Sequence, residues 1–182
     1  MTPSQRFTLG KSLRWYDTIR RCAIMPYTYA NGTLHLMLGR DRQSKALTDL
    51  GGGIKKYERE QDHGVLRAAV RELQEESRAV FGEINYTSLF DKIAYIDEKR
   101  GLAVIFLPVH PRALWAASVL FTHSTTVKRP PEWDEIVELL WYDYDDFTTM
   151  LRSKQMWGRV RPFYRDCISY NILQFALRSA NH

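Results

Sequence analysis

Three glutamates lie close together in the segment 71–76, which reads RELQEE. Glu72, Glu75 and Glu76 are spaced i, i+3 and i+4, so a helix would carry all three on one face. Carboxylates placed in this way repel one another, and the repulsion grows where water is excluded. A hard divalent cation such as Mg²⁺ would remove that repulsion, because it prefers carboxylate oxygens and keeps waters that phosphate oxygens can replace. On the spacing alone, an ordinary solvated acidic helix face is the favoured interpretation, and a metal site is the alternative that the residues upstream support.

The residues around these glutamates are typical of an amphipathic helix. Asp62 has the side chain of an N-cap, and we expect the helix to run from about 62 to 80. Its core face would consist of apolar residues at helical spacing, namely Leu66, Ala69, Val70 and Leu73. A helix docked through this face would hold the carboxylates in fixed positions.

A triple glycine precedes the helix. Gly51, Gly52 and Gly53 have no side chains, so they predict a loop whose backbone closely approaches another group. This combination of glycine loop, helix and clustered carboxylates resembles the Nudix box, written G-x5-E-x7-R-E-U-x-E-E-x-G-U with U apolar. GGGIKKYE matches the front half through Gly52 and Glu58, and RELQEES matches the back half from Arg71 to Glu76.

The match departs from the family pattern at two places. Twelve residues instead of seven separate Glu58 from Arg71, so Glu60 is a second candidate for the first box glutamate. Arg78 replaces the glycine that follows Glu-Glu-x, and we therefore expect the helix to continue through this position. In its triple glycine and long loop, the variant is most similar to viral and other divergent members of the family.

The resemblance implies an enzyme that hydrolyses a pyrophosphate linkage by metal-assisted attack of water. Glu72, Glu75 and Glu76 would hold Mg²⁺ or Mn²⁺, and Arg71 would pair with Glu58 or Glu75 to fix the helix and the loop. One of the three metal ligands or an acid on a later loop would serve as general base. The candidates outside the box are Asp97, Glu98, Glu132, Asp134, Glu135 and Glu138.

The substrate side of the predicted site combines backbone and cations. Gly52 and Gly53 would support the loop near the metals, and Lys55, Lys56 and Arg40 are the cations expected nearest the phosphates. Residues 1–60 hold eleven Lys and Arg against five Asp and Glu, within a net charge of +5 for the chain. A cationic half suits a polyanionic partner, although a basic surface that only confers solubility is an equal alternative.

These charges order the expected substrates. Capped or triphosphorylated 5′ ends of RNA come first, followed by dinucleoside polyphosphates and diphosphoinositol polyphosphates, and then by nucleotide sugars or ADP-ribose. A catalytically silent Nudix module that binds a nucleotide or RNA is the alternative of another class. The intact glutamates favour the enzyme, because silent modules usually lose one of them.

The remaining patterns predict one α/β domain, a Nudix-type α/β/α sandwich around a mixed sheet. Asn31-Gly32 between apolar runs predicts a hairpin of strands at 19–29 and 34–40. Further strands are expected at 87–96, 102–109 and 136–142. The segment 110–133 shows no regular pattern. Pro162 would begin a C-terminal helix that extends to about residue 177. We expect a leader over 1–18 and the hydrolase domain, with that helix, over 19–182.

The composition of the 182 residues sets limits on location and assembly. No apolar run is long enough for a transmembrane helix, and the basic N-terminus lacks the apolar core of a secretory signal. Cys22 and Cys167 have no metal-ligand spacing and are expected to be small buried residues in a reducing compartment. We expect a protein of the cytoplasm, with the nucleus as the alternative and no membrane partner; the oligomeric state is open and includes a homodimer.

Overall fold

The computed structural model describes residues 4–124, 130–154 and 158–161. Within these residues the strands are β1 (Gln5–Leu9), β2 (Arg21–Ala30), β3 (Thr33–Asp41), β4 (Leu47–Thr48), β5 (Leu50–Gly53), β6 (Ile93–Asp97), β7 (Leu102–Pro108) and β8 (Ile136–Asp143). The helices are α1 (Lys56–Arg59), α2 (Gly64–Glu76), α3 (Ala113–His123) and α4 (Tyr144–Arg152). Short 3-10 turns occur at Gly10–Trp15, Tyr86–Leu89 and Pro131–Asp134.

All the strands belong to one sheet, in the order β1-β6-β7-β2-β3-β4, with β5 paired to β2 and β8 paired to β3. The sheet is mixed, because β2 runs parallel to β7 and antiparallel to β3.

Side chains alternate between two apolar cores along the central strands. Cys22 and Ile24 of β2 pack into the core that contains the buried residues of α2 and α3. Ala23 and Met25 pack into the opposite core, which contains those of α4. Helices therefore cover both faces, and the predicted α/β/α sandwich around a mixed sheet is confirmed.

The predicted hairpin is confirmed. β2 and β3 pair antiparallel, with Ala30 opposite Thr33. Asn31 and Gly32 form the turn with φ angles of 52° and 79°, the left-handed conformation that both residues tolerate.

Helix α2 has the predicted core face but different ends. Leu66, Ala69, Val70 and Leu73 are buried, with Leu73 only 1% exposed. The helix begins at Gly64 and ends at Glu76, so the range 62–80 was too long at both ends. His63, with a φ of 56°, takes the N-cap position predicted for Asp62.

The N-terminal segment differs from the predicted leader. Residues 5–9 form β1, which pairs antiparallel with β6 at the edge of the sheet. Phe7 packs edge-on against Tyr95, and this aromatic contact ties the segment to the sheet. Residues 5–9 are therefore part of the sheet, and the boundary at residue 18 stays a prediction.

Other elements also depart from the predictions. β6 begins only at Ile93, because Tyr86–Leu89 form a 3-10 turn capped by the side chain of Asn85. The segment 110–133, in which no pattern was visible, contains α3. Cys22 is buried as expected, whereas Cys167 and the predicted helix 162–177 lie outside the described residues. No helix among the described residues is long and apolar enough to cross a membrane.

Candidate active site

Helix α2 brings the predicted glutamates together at its C-terminal half. Glu76 is only 5% exposed, and the side chains of Glu72 and Glu75 are 13% and 16% exposed. The helix docks on β2 and β5 through Leu66 and Leu73, so its acidic face is held next to the triple glycine. Three largely buried carboxylates on one rigid face form an anionic site that needs positive charge or hydrogen-bond donors.

Arg71 supplies part of that positive charge. Its Nη1 donates to Oε1 of Glu72 at 2.7 Å and to Oε2 of Glu75 at 2.8 Å, while its Nε donates to Oε1 of Glu58 at 2.7 Å. Burial alone lowers the pKa of Arg71, but these carboxylates raise it above its ordinary value, first through the Glu58 hydrogen bond. The guanidinium stays charged and joins α1 to α2.

The structure also distinguishes the two candidates for the first box glutamate. Glu58 is 3% exposed, pairs with Arg71, and accepts a 2.7 Å hydrogen bond from the amide of Lys55. Glu60 is exposed at the end of α1. The five extra residues are accommodated by α1 and the turn before His63, which leave the Glu58–Arg71 pair intact.

The triple glycine is an extended strand, so the prediction of a loop was wrong. β5 pairs with β2, and this places two of the glycines against the acidic face. The amide of Gly51 donates to Oε2 of Glu76 at 2.5 Å. A Cβ on Gly52 would lie 2.6 Å from Oε2 of Glu72, and the carbonyl of Gly53 accepts from Arg71 at 3.1 Å. The predicted close approach of the glycine backbone to another group is therefore confirmed, and the groups that it approaches are the carboxylates of Glu72 and Glu76.

Sequence reasoning missed a second ion pair beneath the site. Asp49 is fully buried and accepts from Nη1 and Nη2 of Arg21 at 2.7 and 2.5 Å. Arg21 also donates to the carbonyl of Gly51 at 2.6 Å, which fixes β5 where it meets Glu76. The only signal in the sequence was an aspartate between the apolar residues Leu47 and Leu50, and its partner lies 28 residues away.

The environment of α2 changes the acidity of its glutamates. Burial, followed by the charges of Asp49 and Glu72, raises the pKa of Glu76 well above its ordinary value. Burial also raises the pKa of Glu72, against the opposing effect of Arg71, and the charges of Glu75 and Glu135 add to the rise. A bound cation would stabilise the ionised form of both groups.

The donor chemistry fits a hard divalent cation, although a complete metal site is not preassembled. Among the described residues, no group of three or more acidic, His or Cys side chains is arranged to hold a metal. Glu72 and Glu75 turn oxygens toward Arg71 instead. Gly52 lies so close to Glu72 that a Cβ there would be 2.6 Å from Oε2, and the side chains on α2 that could coordinate a cation here are all carboxylates.

One of the candidate bases, Glu135, contributes through its charge to the raised pKa of Glu72. It is exposed, and it lines an open cavity of about 920 Å³ together with Asp134 and Arg42. Three other candidates are engaged elsewhere: Asp97 and Glu98 pair with Arg100 and Arg6, and Glu138 pairs with Arg40. Asp134 pairs with Arg78 at 3.3 Å, and the side chain of Glu132 lies outside what the structure describes.

The predicted phosphate-binding cations separate into two groups. Lys55 and Lys56 are exposed immediately after the glycine strand, next to Glu58. Arg40 instead follows Leu36 and Leu38 on the sheet face opposite α2, where it pairs with Glu138 at 2.9 Å. Its assignment to the phosphate site was therefore wrong, because strand alternation turns it away from the glutamates.

Comparison with known proteins adds little. No family model and no curated protein sequence matches the chain. Among solved structures, it is similar to a C. elegans Ap4A hydrolase in a binary complex, with 12% identity, 90% of this chain and 99% of that chain covered, and a TM-score of 0.43. A second C. elegans Ap4A hydrolase structure has 13% identity, coverage of 76% and 89%, and a TM-score of 0.37. Likeness at this level contributes no argument about function, which depends on the residues of the site.

Proposed function

We propose that the protein is a Nudix-type hydrolase that cleaves phosphoanhydride bonds with the help of a divalent metal. The observation that carries this proposal is the contact between Arg71 and three carboxylates, those of Glu58, Glu72 and Glu75. The resemblance implies that Arg71 pairs with Glu58 or Glu75, and Nε of Arg71 donates to Glu58 at 2.7 Å despite the five extra residues between them.

Glu72, Glu75 and Glu76 would hold Mg²⁺ or Mn²⁺. When bound, the metal supplies Lewis-acid stabilisation of phosphate charge and orientation of the attacking water. The protein then has to hold its carboxylates in place. Gly51 does this for Glu76 through its amide, and Arg71 does it for Glu72 and Glu75.

Glu135 is our candidate for the general base. It lies on the loop before β8, outside the metal-binding helix, and its charge acts on Glu72. Its carboxylate is exposed, so it can accept a proton from a water molecule. Asp134 is less suited, because Arg78 and Arg42 neutralise it.

The substrate class follows from charge. Lys55 and Lys56 are exposed and follow the glycine strand, and they favour a substrate with several phosphates. We rank capped or triphosphorylated RNA first, with dinucleoside polyphosphates and diphosphoinositol polyphosphates next. Because Arg40 lies on the opposite face of the sheet, only Lys55 and Lys56 remain as the cations that support this ranking of substrates.

A hydrolysis panel tests the proposal. Triphosphorylated RNA, capped RNA, a dinucleoside polyphosphate, a diphosphoinositol polyphosphate and a nucleotide sugar would each be incubated with Mg²⁺ and, in parallel, with chelator. We expect cleavage of at least one phosphoanhydride that stops in chelator. Tight binding of a nucleotide or RNA without any cleavage would identify a silent binding module and contradict the proposal that the protein is an enzyme.

A further inference from the structure

Arg78 occupies the position at which the box pattern has glycine. α2 ends at Glu76, and Arg78 and Ala79 both adopt φ angles of 56°. The expected continuation of the helix was therefore wrong, since the backbone turns here as glycine would allow. An arginine in the left-handed region is strained relative to glycine, so other contacts must hold it there.

The side chain provides those contacts. It is only 3% exposed, and its guanidinium lies 4.0 Å from the centre of the Phe121 ring. Nη1 donates to the carbonyl of Phe121 at 3.2 Å. Nη2 donates to the carbonyl of Ile136 at 3.4 Å and to Oδ1 of Asp134 at 3.3 Å.

These bonds join three segments that are distant in sequence. Phe121 belongs to α3, and the other two acceptors lie on either side of Glu135, before and at the start of β8. The guanidinium is planar and offers several fixed donors, so it can bind α3 and the segment around Glu135 at once and join both to the end of α2. Glu135 is thereby held between two residues that are tied to the C-terminal end of the metal-binding helix.

We propose that Arg78 is a positioning residue that holds Glu135 in register with the acidic face of α2. The inference rests on the proposed function, in which Glu135 is the base and α2 carries the metal. It also explains why arginine can replace the glycine: the strain of the left-handed backbone is compensated by the bonds that place the loop 133–136.

The chain offers a matched control on the same helix. The guanidinium of Arg67 also lies 4.0 Å from an aromatic ring, that of Tyr86, and its Nε donates to the carbonyl of Asp62 at 3.0 Å. These contacts are all at the N-terminal side of α2, so Arg67→Met removes a similar stacking interaction without touching the loop 133–136. Arg78→Gly relieves the backbone strain while removing the guanidinium, which separates the two contributions of Arg78.

Hydrogen exchange tests the positioning role without any substrate. Amides in the segment 133–137 should exchange faster in Arg78→Met and Arg78→Gly than in the wild type or in Arg67→Met, and Arg78→Lys should fall between. Unchanged exchange in both Arg78→Met and Arg78→Gly would overturn the proposal, even if the protein cleaved none of the panel and the proposed function had failed.

Kinetic measurements on the best substrate of the panel test whether Arg78 affects catalysis through Glu135. Arg78→Met and Arg78→Gly should lower kcat by about tenfold to a hundredfold with little change in KM, as expected when a base is misplaced by about 1 Å. In a Glu135→Gln background, Arg78→Met should cause no further loss of kcat. A normal kcat in Arg78→Gly, or a loss of the same size in both backgrounds, would overturn the proposal and leave Arg78 a purely structural residue.

Discussion

The amide of Gly51 donates a 2.5 Å hydrogen bond to the carboxylate of Glu76, 25 residues further along the chain. This bond fixes the most buried of the three clustered glutamates against β5. Two of the glycines before the helix are explained by such close approaches: a Cβ on Gly52 would meet the carboxylate of Glu72, and one on Gly51 would meet the neighbouring strand β2.

Substituting Gly52 tests this close approach. In Gly52→Ala the new Cβ would lie within 2.6 Å of Glu72 and must displace its carboxylate, so we expect kcat/KM to fall by about tenfold or more. Gly158→Ala is the control, because a Cβ there meets nothing within 4 Å. Equal activities of the two variants would mean that the position of Glu72 is unimportant.

Leu73 tests the docking of α2. It is 1% exposed in the core, so Leu73→Ala should lower the free energy of unfolding by roughly 2–5 kcal/mol, measured by urea denaturation. Leu120→Ala on α3 removes the same atoms from a side chain that is 52% exposed and should have a much smaller effect. Similar midpoints for Leu73→Ala and the wild type would indicate that α2 does not pack in this way.

The hairpin and the core face of α2 could be predicted because their signals are local. Asn31-Gly32 selects its turn through its own φ preferences, and Leu66 to Leu73 repeat with the helical period. α3 was missed because its sequence, ALWAASVLFTH, is apolar on nearly every side and shows no clear stripe.

The parts of the site that could not be predicted depend on contacts between distant residues. Arg78 has its partners at Phe121 and Ile136, 43 and 58 residues away. Arg40 was misplaced because the sequence does not reveal which face of β3 is covered by α2. The box motif identified Glu58 and Arg71, but only the fold showed that Glu58 rather than Glu60 forms the pair.

The stability of the metal-free protein should depend on the ionisation of Glu76. Because burial raises its pKa in the folded protein, ionisation favours unfolding, and stability is lost as the pH rises from the ordinary value of 4.5 toward the raised pKa. In chelator, the melting temperature of the wild type should therefore fall relative to that of Glu76→Gln over this range. Mg²⁺ should reduce this difference in melting temperature. If the melting temperatures of the two proteins change in parallel with pH in chelator, the raised pKa of Glu76 is contradicted.

The lysines after the glycine strand should contribute to substrate binding. Changing Lys55 and Lys56 together to alanine should raise KM more than it lowers kcat, because a charge that contacts ground and transition states alike affects binding. The wild-type KM should also rise with salt, most steeply for an RNA substrate. Lys11 and Lys99, also exposed, give a control double variant with the same change of charge. Equal KM values in the two double variants would show that Lys55 and Lys56 are ordinary surface residues.

We propose that the acidic face of α2 holds a metal that is needed for phosphoanhydride cleavage. The most direct measurement compares the Mg²⁺-dependent kcat of the wild type with that of Glu76→Gln on the same substrate, together with the circular dichroism spectra of both. Glutamine has nearly the same shape and can still accept the hydrogen bond from Gly51, so the fold should be preserved while a metal ligand is lost. We predict that kcat falls by about a hundredfold or more in Glu76→Gln, within the range expected for lost metal function. A folded Glu76→Gln variant with the wild-type kcat, or full wild-type activity in chelator, would show that cleavage does not depend on a metal held by α2.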